Sequence, residues 1–61
     1  MIPKKLIIKT IDEAIYKSSL ESDHYNYFRY NELKKRLLEL NDKITMAEYM
    51  DVKLYLGHSM D

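Results

Sequence analysis

Sixty-one residues carry ten basic and ten acidic side chains, a formal net charge of zero, no cysteine, one glycine and one proline. A chain of that length is one small domain (residues 1–61), which buries only about 60% of the surface its unfolded form exposes and needs support for its core. Disulfide staples and thiolate zinc sites are excluded by the lack of cysteine, which leaves association with another chain as the usual remaining support.

With so few glycines and prolines, sharp turns are scarce, which favours helices over a sheet of several strands. The first helix is expected over residues 3–20. Ile7, Ile8, Ile11, Ala14 and Ile15 recur at the spacing of one helix face, and Lys5, Lys9, Asp12, Glu13 and Lys17 fall opposite. Lys9 with Glu13, and Glu13 with Lys17, are oppositely charged i,i+4 pairs, and Pro3 suits a first turn. A rival reading makes residues 6–9 a short strand and starts the helix after Thr10, where Thr10 and Glu13 fit a capping box. The apolar face runs unbroken through Thr10, so the long helix is preferred. Ser18-Ser19-Leu20-Glu21-Ser22-Asp23 then breaks it, with Ser22 or Asp23 able to cap the next helix.

The second helix is expected over residues 24–40. Tyr30, Leu33, Leu37 and Leu40 are spaced 3, 4, 3, a seam for packing on another helix. Tyr27 and Leu38 widen it on one side, and Tyr25 and Phe28 lie on the far side. Arg29, Glu32, Lys35, Arg36 and Glu39 make the solvent face, with Glu32 and Arg36 at i,i+4. After the polar turn Asn41-Asp42-Lys43 comes a capping box, Thr45 with Glu48, flanked by Ile44 and Tyr49 at the positions of a hydrophobic staple. The third helix is therefore expected over residues 46–56, closed by Gly57 and followed by a frayed tail from His58 to Asp61. Apolar side chains occupy nearly its whole circumference. A helix of that kind is covered on more than one side, and a chain with three helices cannot surround one of its own. Leu37, Leu40, Tyr49, Val52 and Leu56 are expected to form the core with Ile7, Ile11 and Ile15.

Little chemistry is encoded. His24 and His58 are the only groups that titrate near neutrality, and both read as exposed. The adjacent Asp12 and Glu13 diverge on a helix and read as surface charges. No phosphate-cradling, nucleophile-elbow or zinc-protease motif occurs, so no catalytic residue, cofactor or metal ligand is assigned and an enzyme is not expected. No apolar run reaches the roughly 18 residues of a membrane span. Leu6-Ile7-Ile8 is too short for a signal-peptide core, so a soluble cytoplasmic protein is expected. Four aromatics crowd residues 24–30. Tyr27 and Tyr30 read as core; Tyr25 and Phe28 either pack back on the first helix or, beside Arg29, mark a protein interface. Nucleic-acid stacking is the weaker alternative. A basic triplet, Lys34-Lys35-Arg36, spreads around the helix rather than forming a patch. The last two helices could be a helix-turn-helix, but the third then offers Glu48 and Asp51 to phosphates against one Lys53.

Residues 33–56 resemble the short C-terminal oligomerisation domain (SHOCT) family. That family joins a leucine-rich helix to a second helix through Gly-x-Ile-Thr, two variable residues, Glu and an aromatic, with a Lys and a Leu beyond. Leu33, Leu37 and Leu40 stand for the first helix; Ile44, Thr45, Glu48, Tyr49, Lys53 and Leu56 stand for the turn and second helix. The turn glycine has no counterpart. The resemblance implies association or tethering rather than catalysis. A composition rich in Lys, Ile, Tyr and Asp is also similar to that of small regulatory orphan proteins of low-GC bacteria and their phages. The expectation is an all-α three-helix domain, its last two helices an antiparallel hairpin, acting as a protein-interaction or oligomerisation module. The partner is a second copy, as a homodimer, or another protein, and the candidate interface is Tyr25, Phe28, Met50, Leu54 and Tyr55. The alternative is a small DNA-binding regulator, disfavoured by the zero net charge.

Overall fold

Three helices, α1 (Lys4–Leu20), α2 (His24–Glu39) and α3 (Met46–Tyr55), make up the computed structural model, which describes residues 2–40 and 43–57. The expected positions of the turn at Asn41 and Asp42 and of the tail from His58 onward lie outside the described residues. The domain is all-α, with no strand among the described residues.

Residues 6–9 are helical, so α1 is the long helix. The carbonyl of Pro3 accepts from the amides of Leu6 and Ile7 at 3.0 and 3.1 Å, which starts the helix there. The Thr10 hydroxyl turns back to the Leu6 carbonyl at 2.9 Å instead of capping a new helix. That contact is available only once the preceding turn has formed.

Two connections define the architecture. At the first, Ser22 takes the left-handed conformation, φ 54°. Its amide reaches the Ser19 carbonyl at 3.2 Å and the Asp23 amide reaches the Ser18 carbonyl at 2.8 Å. This is the Schellman pattern of bonds, built on a serine where glycine is usual. Asp23 then opens α2: its carboxylate accepts from the Asn26 amide at 3.2 Å and from the Asn26 side chain at 2.7 Å. At the second connection the capping box forms in full. The Glu48 amide donates to the Thr45 hydroxyl at 3.1 Å, and the Thr45 amide donates to the Glu48 carboxylate at 2.9 Å. Gly57, φ 81°, closes α3.

The core gathers Ile11 and Ala14 from α1, Tyr30, Leu33 and Leu37 from α2, and Val52 from α3. Tyr49 is buried as well, while Ile7, Ile15 and Leu56 pack at the margin. On α1 the buried stripe includes the small residues Thr10, Ala14 and Ser18 at i, i+4 and i+8, and the Ser18 hydroxyl is satisfied by the Ile15 carbonyl at 2.8 Å. Small side chains let α2 approach closely. Leu40 is a correction to the expected core: it is 71% exposed. It is the C-cap of α2, one step beyond the last buried turn, and Ile44 packs against the core after the turn. Tyr27, also expected in the core, lies outside it at 45% exposed.

Both α2 and α3 pack on α1, whereas no Cα of α2 comes within 8 Å of one in α3. The last two helices still form the expected antiparallel hairpin. Matched side chains join them from Arg36–Glu48 near the turn, through Arg29–Asp51, to Asp23–Tyr55 at the far end. The result is a flat molecule of 30 × 29 × 16 Å.

Candidate functional site

The separation of α2 from α3 leaves an open groove of about 530 Å³ on one face of the molecule. Its floor is Tyr30 and Leu33. Tyr25, Phe28, Arg29, Glu32 and Arg36 form the α2 wall, at the spacing of one helix face. The opposing wall is Ala47, Glu48 and Asp51 on α3. Tyr25 and Phe28 are 75% and 68% exposed, so they stand up on this wall and do not fold back on α1.

Two ion pairs cross the groove. Arg29 meets Asp51 at 2.9 Å and Arg36 meets Glu48 at 3.0 Å. The Arg29 guanidinium is further held by the Asn26 side-chain oxygen at 2.9 and 3.2 Å and donates to the Tyr30 hydroxyl at 3.0 Å. It also lies over the Tyr25 and Tyr30 rings, 5.7 and 4.7 Å from their centroids. The Tyr30 hydroxyl donates onward to Asp51 at 3.3 Å. Burial, with the Asp51 carboxylate adding to it, pushes the Tyr30 phenol up to about 12, so the phenol is a neutral strut at physiological pH. The Thr45 amide, with Arg36 beside it, holds the Glu48 carboxyl below its ordinary range. These charges and the Tyr30 hydroxyl link α2 to α3 across the groove.

Met50 and Leu54 lie elsewhere on α3. With Met46 they make a stripe at i, i+4 and i+8 along its outward side, Met46 63%, Met50 36% and Leu54 57% exposed. The charged residues of α3 sit on its flanks: Glu48 and Asp51 face α2 through their ion pairs, and Lys53 lies over the Tyr49 ring at 5.8 Å. Met46, Met50 and Leu54 thus make an apolar stripe along the outward side of α3, bordered by Lys53. Ala47, exposed and within a helix turn of Met46 and Met50, joins this ridge to the groove wall.

Tyr55 has a different position. It is half-buried, its ring 5.2 Å from that of Tyr30 and tilted by 58°. Its hydroxyl donates to Asp23 at 3.1 Å, and the Lys17 ammonium lies 4.8 Å over the ring and donates to the Tyr55 carbonyl. Tyr55 thus ties α3 to α1 and to the start of α2. The Asn26 side chain and amide, assisted by Tyr55, lower the Asp23 carboxyl. His24 is exposed, and His58 lies outside the described residues.

The pairing across the groove is not visible in the local sequence pattern, which places Arg29 and Arg36 on a solvent face, pairs Arg36 with Glu32 and gives Glu48 its role in the capping box. A signal existed: Arg29 and Arg36 are seven residues apart, and Glu48 and Asp51 fall on one strip of α3. In an antiparallel hairpin those sets face each other. Lys17 and Asp12 likewise find tertiary partners, Lys17 at Tyr55 and Asp12 at Lys34, 2.6 Å away.

Among the described residues no group of three or more His, Asp or Glu could hold a metal ion, and no helix is long and apolar enough to cross a membrane. The described residues form a small all-α three-helix protein with an aromatic-walled groove between α2 and α3 and an apolar ridge on α3. Compared with family models, curated proteins and solved structures, the chain matches none.

Proposed function

We propose that this protein is a non-enzymatic protein-interaction module that works by associating with a second chain. The observation that carries this reading is the outward side of α3, where Met46, Ala47, Met50 and Leu54 present apolar surface with no charge among them. The other exposed apolar side chains of the long helices differ in setting. Tyr16 and Leu20, for example, stand at helical spacing among Lys9, Asp12 and Glu13, as scattered surface apolars normally do. An uninterrupted apolar stripe beside a groove is the kind of surface that marks a contact site. The resemblance of residues 33–56 to the SHOCT family points the same way. A DNA-binding role has less support, because Arg29, Lys34 and Arg36 are engaged with carboxylates and Lys17 with Tyr55.

Sedimentation equilibrium over a wide concentration range tests the reading, with Leu54→Glu as the paired variant. Leu54 is exposed, so the variant keeps its helical circular dichroism. The wild-type chain is expected to self-associate, and Leu54→Glu to weaken that association by at least about tenfold, one buried unpaired charge being worth more than ~1.4 kcal/mol. A wild-type chain that stays monomeric throughout refutes self-association.

A further inference from the structure

Ala47 lines the groove and stands within a helix turn of Met46 and Met50, so the ridge runs along the α3 edge of the groove, and this placement constrains how a second copy can cover both. We propose that the occupant of the groove is the α3 ridge of a second copy, seated reciprocally, so that the two chains form an isologous pair about a two-fold axis near Ala47, between ridge and groove. The proposal rests on the association reading above and names its surface and its partner.

Three observations converge on it. The first is closure. A groove and the ridge along its edge are both filled at once when two copies meet reciprocally, whereas one-way docking leaves a ridge and a groove open and continues into a chain of subunits. The second is area. Tyr25 and Phe28, 75% and 68% exposed, and Met46, Met50 and Leu54, 63%, 36% and 57% exposed, together offer on the order of 500 Å² of apolar surface per copy. Two copies then bury on the order of 1,000 Å², the lower bound of a specific interface. Neither ridge nor groove reaches that bound alone, so the reciprocal arrangement is the one that does. The third is charge. Among the described residues Glu32, on the α2 rim of the groove, has no ion pair, and Lys53, on the flank of the ridge away from its own groove, lies over the Tyr49 ring and has no carboxylate partner. The two-fold operation brings the Lys53 flank of one copy toward the Glu32 rim of the other, twice. The aromatic Tyr25 and Phe28 act as the anchors, in the role such residues hold at interface centres.

The chain has no cysteine, which permits a direct test. Two single-cysteine variants at the rim, Lys35→Cys beside Glu32 on α2 and Lys53→Cys on the flank of the ridge, leave the aromatic anchors and the methionine ridge in place; they are mixed in equal amounts and treated with a short bismaleimide. Tyr16→Cys, on the outward side of α1, serves as the reference, and sedimentation equilibrium and circular dichroism are run on the same samples. The expected result is a mixed product of Lys35→Cys with Lys53→Cys several-fold in excess over any product containing Tyr16→Cys. Glu32→Lys should weaken association several-fold, and Glu32→Lys combined with Lys53→Glu should recover it. Dimers whose crosslinks run instead through Tyr16→Cys would overturn the reciprocal seat while leaving self-association standing. Helical monomers at every concentration would overturn both.

Discussion

The contact of α1 with α2 and the contact of α2 with α3 solve the same problem in opposite ways. Along the first, Thr10, Ala14 and Ser18 keep α1 slim, and Tyr30, Leu33 and Leu37 lie against it with almost nothing exposed. Along the second, the backbones stay apart and long side chains bridge the gap as ion pairs. Close packing of apolar side chains removes area from water, the dominant stabilising term. Partly exposed ion pairs add little stability but fix orientation and leave space between the helices. One contact therefore supplies most of the stability, and the other supplies a surface.

The comparison is broken most severely at the first contact. Leu37 is 3% exposed and Leu40 is 71% exposed, three residues further along the same helix. Leu37→Ala is expected to cost roughly 2–5 kcal/mol, which rivals the whole stability of so small a domain, so its thermal melt by circular dichroism loses cooperativity. Leu40→Ala should stay within about 0.5 kcal/mol of wild type. A cooperative melt retained by Leu37→Ala would remove Leu37 from the core.

The two alanines sharpen the contrast. Ala14, 0% exposed, sits where α1 must stay slim; Ala47 borders the open groove. Ala14→Leu should destabilise by about 1–3 kcal/mol through overpacking. Ala47→Leu should leave the urea midpoint nearly unchanged at a concentration where the chain is monomeric. Equal losses for both would mean that the groove is as tightly filled as the α1–α2 seam.

A smaller effect, of opposite sign, belongs to the turn before α2. Ser22 holds a left-handed conformation that suits glycine. Ser22→Gly should stabilise by about 0.5–1 kcal/mol, the relief of strain outweighing the extra freedom of the unfolded chain. A lowered melting temperature would show that the Ser22 side chain contributes more than its backbone strain costs.

The smallest effects belong to the bridges. A double-mutant cycle on Arg36 and Glu48 should give a coupling below about 1 kcal/mol. The same region sets the acid response. The Glu48 and Asp23 carboxyls lie below their ordinary values, so the folded chain binds their protons less readily than the unfolded chain does. Their contribution is complete above the unfolded carboxyl values, about 3.9–4.3. It declines as pH falls from there through the lower folded values. Denaturant midpoints measured from pH 7 downward should be level to about pH 5 and then drop. Glu48→Gln should flatten part of that drop, and an unchanged profile would separate Glu48 from the acid response.

Much of this fold is legible along the chain because its signals are local. The Thr45–Glu48 box needs four residues, and Gly57 needs only its own backbone freedom. The 3–4 spacing of Tyr30, Leu33 and Leu37 needs one helix. The same local logic overreached at Leu40, whose spacing continued the seam although the helix had reached its cap. It also paired Arg36 with Glu32, since neighbours on one helix are the only partners a linear pattern can offer. The aromatic cluster at residues 24–30 was legible as an anomaly, and Tyr25 and Phe28 were separable from Tyr30 by helical angle, but not the surface they would stand on.

The sequence by itself determined, to within a residue, where each helix starts and stops, and that α3 is apolar around nearly its whole circumference. Those properties follow from capping chemistry, periodicity and composition within a few residues. Only the tertiary structure decided which side of α3 stays uncovered, that Tyr55 is drawn inward to Asp23, Tyr30 and Lys17, and that Arg29 and Arg36 reach across to Asp51 and Glu48. These depend on the distance between helices, and that distance is set by the bulk of side chains far apart in the chain. The small stripe on α1 admits α2 closely, and the cross-bridging side chains hold α3 off from α2, leaving the groove between them.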